Sequence, residues 1–296
     1  MVGSRSPVSR FSGVTLCLTA LLLFAALDAT AKYLSGFLPV PLLVWARYLV
    51  HLLIMLIIFV PGMGRSLVIT SHPWLMGLRG ATLVGVTLLG QRALQTLPLA
   101  ETTALVFVAP LLVALLAGPV LGEVVRPRVW LATCAGFVGV LLIARPGGTL
   151  NASGILSALG AAIFYAGYQL LTRKLVSSEP PLRLLFHTAL LGTLLMSPAL
   201  LLSWDGRLPT PLQAALIVSL GVYGGVGHFL LIRAFRETPA STLSPLLYWQ
   251  LIWAALLGWL VFDHLPDWPA VGGMLVIGGS GLSLTMGRQR ESTAPI

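Results

Sequence analysis

Apolar runs of roughly span length alternate with short polar turns along almost the whole chain. They fall at 13–34, 41–60, 73–94, 102–121, 129–144, 154–171, 182–203, 212–232, 239–262 and 268–286. A helix rises 1.5 Å per residue, so about twenty apolar residues cover the roughly 30 Å hydrocarbon core of a bilayer. The pattern predicts an all-α polytopic membrane protein with ten transmembrane helices. Composition agrees: 57% of residues are apolar and only 9% charged, against about 25% charged in an average soluble domain.

The spans come in two sets of five. Adding 141 to a residue number carries Ser12-Gly13 onto Ser153-Gly154, Arg92-Ala93 onto Arg233-Ala234, Pro98 onto Pro239 and Leu115-Leu116 onto Leu256-Leu257. A repeat of this length is far beyond solenoid periods and leaves room for a five-helix bundle in each copy. Five crossings return the chain to the opposite face, so the second copy lies upside down relative to the first. Inverted repeats of this kind place a substrate site between them and exchange conformations. The expected units are residues 1–146, residues 150–290 and a tail at 291–296. The breaker-rich turn Arg145-Pro146-Gly147-Gly148-Thr149 is the hinge.

A net charge of +9 invites a nucleic-acid partner, but its placement argues otherwise. With the N-terminus in the cytoplasm, Lys32, Arg92, Arg145 and Arg207 fall outside, and Arg47 and Arg79 fall within spans. The remaining twelve of the eighteen basic residues fall inside. That asymmetry follows the positive-inside rule and predicts a bacterial-type cytoplasmic (inner) membrane protein with both termini cytoplasmic. Cys17 and Cys134 lie in apolar spans and are expected as buried free thiols. Phosphate-loop, nucleophile-elbow and zincin motifs are absent from the sequence, as is paired-cysteine metal spacing. No cofactor, metal or enzymatic activity is expected, and transport energy would come from gradients or coupled ions.

Polar side chains inside hydrocarbon are expensive and mark candidate contacts with cargo. Asp28 maps onto Gln169 and Phe24 onto Tyr165, each pair four residues apart on one helix face. An ion pair between Asp28 and Lys32 is the competing reading. Arg47 and Arg79 each lie six residues beyond a proline, close enough to a helix start for snorkelling. His51, His187 and His228 are candidate proton relays, the last two favoured by their Gly and Thr neighbours. In the ninth span Pro245, Trp249 and Trp253 form one stripe beside Gln250, an expected kink and aromatic wall, with Pro110 and Phe107 as the matching device in the fourth. Trp204 and Trp268 at span ends read as interface anchors. The glycines of the eighth and tenth spans predict close helix approach.

The run from Pro98 to Gly122-Glu123 and its second copy, from Thr238-Pro239-Ala240 to Phe262-Asp263, resemble the drug/metabolite transporter superfamily of EamA type. Asp28-Ala29-Thr30-Ala31-Lys32-Tyr33 and Trp45-Ala46-Arg47 resemble members that move metabolites. The resemblance implies a secondary transporter of amino acids or related compounds, expected to export them by alternating access. Uptake of an S-adenosylmethionine-, riboflavin- or nucleoside-like cargo is the alternative. A membrane-embedded enzyme or accessory subunit is the reading from another class. Expected partners are the lipid bilayer, a small-molecule metabolite, and a coupling proton or counter-substrate, in a monomer or homodimer.

Overall fold

The computed structural model describes residues 7–121, 127–145, 148–176, 178–204, 206–237 and 243–292, which are helices and short turns with no strand among them. The first repeat holds α1 (Pro7–Leu34), α2 (Val40–Met63), the single turn α3 (Arg65–Val68), α4 (Pro73–Thr96), α5 (Leu99–Val106), α6 (Ala109–Leu121) and α7 (Pro127–Ala144). The second holds α8 (Ala152–Leu175), α9 (Pro181–Ser203), α10 (Pro211–Glu237), a 3-10 turn (Ser244–Tyr248), α11 (Trp249–Phe262) and α12 (Trp268–Ser292). Together they make ten transmembrane spans in two inverted sets of five. Pro41, Pro73, Pro181 and Pro211 sit in the first turns of their helices, where a missing N–H costs nothing. Asn151 caps α8 by accepting the Gly154 amide at 3.1 Å.

Two spans expected as single helices are broken. The fourth interrupts at Phe107-Val108, between α5 and α6, because Pro110 has no N–H to offer the Val106 carbonyl. The ninth changes from 3-10 to α-helix at Tyr248-Trp249, just beyond Pro245. Residues 107 and 248 are related by the repeat offset of 141, and their rings meet with centroids 5.7 Å apart. The interruptions therefore coincide although the prolines that accompany them do not.

Helix pairings obey the same two-fold relation. α1 packs on α10 as α8 packs on α4, and α2 packs on α10 as α9 packs on α4. α2 with α9, and α7 with α12, pack on each other across the axis. Call the face where α1 begins and α2 ends the terminal face, and its opposite the distal face. At the distal face Arg145, in a left-handed conformation (φ 38°), pairs with Asp267, which also accepts the Ala270 amide. The Arg145 guanidinium, then that amide, hold the Asp267 carboxyl below its ordinary range. Hinge residues 146–147, the motif residues Gly122-Glu123 and Thr238-Pro239-Ala240, and tail residues 293–296 lie outside the described residues. Trp204 and Trp268 stand at helix ends and are exposed. Cys17 is buried as expected, but Cys134 faces outward, because α7 buries the stripe holding Ala132, Gly136, Val140 and Ile143 instead.

α7 and α12 approach backbone to backbone at two glycines. A Cβ added at Gly139 would stand 2.8 Å from the Gly273 carbonyl oxygen, and one at Gly273 2.6 Å from that of Gly139. Overpacking of such a contact costs about 1–3 kcal/mol. Gly139→Ala is expected to lose stability of that order on unfolding in mixed detergent micelles. Gly62→Ala, where an added Cβ meets open space, is the control expected to show no such loss.

Candidate binding site between the repeats

A cavity of about 160 Å³, measured by the travel of a water-sized centre, opens between the repeats on the distal side of the bilayer midplane. That is more than ten times the roughly 10–15 Å³ one water needs. Its first-repeat wall comes from α1, α2, the distal half of α4, and α5 down to the break at Phe107. From the second repeat come Ala161, Tyr165, His228 and Gln250. Phe24 and His228 stand with ring centroids 4.9 Å apart, and Tyr165 stacks near Tyr168 at 6.0 Å.

The polar groups facing this space are not spent on each other. Asp28 lies within the field of Arg47 and close to Tyr165, yet no ion pair or hydrogen bond joins Asp28 to Arg47 among the described residues. The i,i+4 alternative also fails. Lys32 donates instead to the carbonyls of Leu94 and Leu97, at 2.5 and 2.6 Å. Gln91 is 4% exposed, lines the cavity, and has a buried side-chain oxygen with no donor. A carboxylate, a guanidinium and an unsatisfied amide thus converge on one partly apolar chamber, which is what a charged or zwitterionic organic ligand requires.

Arg79 is treated in the opposite way. It is 3% exposed and donates to Thr172 Oγ1 (2.7 Å), Thr188 Oγ1 (2.6 Å), the Leu184 carbonyl (2.9 Å) and the Tyr168 hydroxyl (2.6 Å), with its guanidinium 4.4 Å from the Tyr168 ring centre. These bonds tie α4 to α8 and α9 on the terminal side. They also border a second space of about 10 Å³, room for about one water. Tyr168, Thr188, Gly224 and His228 line it together with Arg47 and Leu83, and the 141 offset relates the first four to Leu27, Arg47, Leu83 and Thr87 of the large cavity. Arg47, Leu83 and His228 border both spaces, so the small one adjoins the large one on its terminal side.

Of the residues singled out from sequence, Asp28, Arg47, Tyr165, His228 and Gln250 therefore line the cavity. Arg79 is held by protein groups outside its wall. Gln169 is half-buried and borders neither space. His187 sits near the terminal face with Nδ1 3.0 Å from the Arg183 carbonyl. Trp249 is 44% exposed on the outer surface, and Trp253 packs against the cluster of Cys17 and Leu21 on α1. The expected tryptophan wall faces away from the chamber because Ala254 and Gly258, the small residues of α11, turn inward. Pro110 follows the break that exposes Val106 and Phe107 to the cavity. Sequence reasoning missed Gln91 and Thr87. Applying the offset backward from His228 would have found Thr87.

The terminal face is fastened by Glu179, which is 2% exposed. Its carboxylate accepts Thr70 Oγ1 (2.5 Å) and the Ser71 amide (3.0 Å) from the first repeat and Arg183 Nη1 (2.5 Å) from the second. Burial raises a carboxyl pKa, but bonds from Thr70, Arg183 and Ser71 outweigh it and pull Glu179 down to about 2.

A ten-span protein whose inverted repeats enclose a partly apolar chamber lined by a few charged and amide groups has the architecture of a membrane transporter. Residues 11–145 and 152–286 each match the EamA-like transporter family, and the chain belongs to it. Its relatives include the S-adenosylmethionine uptake transporter of Rickettsia prowazekii, 27% identical with 90% of each chain covered. Others are the riboflavin transporter of Vibrio cholerae, 28% identical over 86% of each chain, and the pseudopaline exporter of Pseudomonas aeruginosa, 27% identical over 90% of this chain and 93% of that one. A crystal structure 22% identical shares the fold, with a TM-score of 0.69 over 96% of this chain and 99% of the other.

The Glu179 fastening has a definite sign. A carboxyl whose folded pKa is depressed contributes stability above its ordinary value of 4.5, and loses it as pH falls toward about 2. Thermal unfolding of the wild type is expected to weaken across that window. Glu179→Gln should be less stable at neutral pH and show a flatter acid dependence.

Proposed function

We propose that this chain carries small organic metabolites with amino-acid-like charge across the cytoplasmic (inner) membrane by alternating access, with export as its physiological direction. The observation that carries this reading is the pair Asp28 and Arg47, oppositely charged groups on the wall of one chamber with no hydrogen bond or ion pair among the described residues, Arg47 having only the Tyr48 ring at 6.0 Å. An uncompensated charge in a low-dielectric interior costs several kcal/mol. A zwitterion satisfies both groups at once, its ammonium toward Asp28 and its carboxylate toward Arg47. Phe24, Tyr165 and Phe107 offer apolar surface for the remainder of the molecule. Gln91 and Gln250 supply amides on two different repeats.

Repeats 1–146 and 150–290 act as the two moving bodies, with 291–296 as a tail. Opening the terminal side means separating the Arg79 and Glu179 contacts and enlarging the small chamber while the distal one closes. Basic residues cluster at the terminal face, which supports its assignment to the cytoplasm. Direction follows the cargo's gradient, so an amino-acid-like metabolite concentrated in the cytoplasm leaves. Uptake is the same cycle under the opposite gradient, and relatives named for each direction exist.

Flux of a panel of amino acids, amines and carboxylic acids through proteoliposomes tests the reading. Losing one partner of a buried charged contact costs about 2–5 kcal/mol, so Asp28→Asn is expected to weaken zwitterions about thirtyfold or more. Organic acids lacking an amine should be spared by that change. Arg47→Gln should show the reverse preference. Equal loss across the panel would mean that these residues shape the chamber without recognising charge.

A further inference from the structure

Beyond the chamber, toward the distal face, lies a cluster that cargo recognition does not use. Glu101, in the first turn of α5, is 3% exposed, and the next residue, Thr102, lines the cavity. Its Oε1 lies 3.2 Å from His264 Nε2, and its Oε2 is buried with no donor at all. The His264 side chain is 43% exposed, so the ring touches the aqueous phase on one side and a buried carboxyl on the other.

The charged and titratable groups around Glu101 come from α1 and from the loop after α11. Lys32 on α1 feels the Glu101 charge, but its ammonium is occupied by the Leu94 and Leu97 carbonyls at the end of α4. That ammonium also stands 5.5 Å from the Phe262 ring centre on α11. The loop after α11 carries Asp263, His264 and Asp267; the last interacts with His264 and is paired to Arg145. Glu101 thus has one cation nearby that does not bond it, one titratable donor, and one oxygen left bare. A buried acceptor with no donor carries a desolvation penalty. Binding a proton relieves it.

We propose that Glu101 is the coupling-proton site of this carrier, loaded from the distal aqueous phase through His264. The inference rests on the transport reading for its coupling and on the cluster geometry for its site. In the loading step a hydronium ion from the distal aqueous phase gives a proton to Nδ1 of the imidazole and leaves as water. The ring releases its Nε2 proton to Glu101 Oε1, breaking one N–H bond and forming one O–H bond. A neutral imidazole and a neutral carboxylic acid result. Because Glu101 belongs to the first repeat and His264 to the second, neutralising the carboxylate weakens a tie between the moving bodies beside the mouth of the chamber.

Infrared difference spectroscopy on the full chain in liposomes tests the site without any cargo. Acidification is expected to raise a carboxylic C=O band that Glu101→Gln removes and Glu101→Asp retains, with His264→Gln displacing its titration. Spectra identical in wild type and Glu101→Gln would overturn the proposal. In proteoliposomes with zwitterionic amino acids, Glu101→Gln should cut accumulation driven by a pH gradient at least tenfold, and remaining exchange should lose its pH dependence. Undiminished pH-driven accumulation, or loss of exchange together with an intact infrared band, would also overturn it. If the wild type moves nothing in the panel, the cargo reading fails while the infrared band still decides the proton site.

Discussion

A cation inside hydrocarbon has to be given partners, and this chain disposes of its two intramembrane arginines in opposite ways. Arg79 is wrapped by two hydroxyls, a phenol and a carbonyl, with an aromatic ring alongside, and this network joins three helices across both repeats. Arg47 is left facing a chamber with an equally unpaired carboxylate in its field. Removing partners from a buried charge is costly, and supplying them is correspondingly favourable. The same physics therefore makes one arginine a tie between helices and leaves the other able to gain from a further partner.

The inverted repeat gives that choice its mechanical meaning. Two copies related by a two-fold axis would enclose two equivalent chambers, one toward each face, if both halves had the same conformation. Here Leu27, Arg47, Leu83 and Thr87 help to line the larger chamber, while their partners Tyr168, Thr188, Gly224 and His228, with Arg47 and Leu83 shared, surround an adjoining space that fits about one water. The two repeats thus surround the midplane unequally although their sequences correspond. The aligned breaks at Phe107 and Tyr248, whose rings touch, sit where both spans can bend about a common point. Glycine pairs such as Gly139 and Gly273 permit the close packing of α7 on α12 away from the chamber.

Much of the fold was legible because bilayer thickness imposes span length and the 141-residue offset imposes inversion. Asp28, Arg47, Tyr165, His228 and Gln250 were legible because polar groups in an apolar span need a reason. Arg79 satisfied the same criterion but is bonded by protein groups; sequence spacing carries no information about the hydroxyls of Thr172 and Thr188 that surround it. Gln169 was misplaced for a different reason. The offset identifies its partnership with Asp28 but not its surroundings, and it borders neither space. The tryptophans of α11 misled because a stripe defines a face without saying what that face meets. Ala254 and Gly258 on the same helix, being small, carried the better signal for the inward side.

Glu101 and Glu179 show how far hydrogen-bond donors separate acids that are equally buried and look alike in sequence. Each ties one repeat to the other near a membrane face. Glu179 has every oxygen satisfied by donors that favour its charged form, and it stays ionised until strongly acidic pH. Glu101 has a single histidine on one oxygen and nothing on the other. An acid whose donors are complete is a fastener, because protonation would cost those bonds. One whose donors are incomplete keeps a desolvation cost that a further donor would relieve. The terminal face thus holds a complete set of bonds around its buried carboxylate, and the distal face an incomplete one.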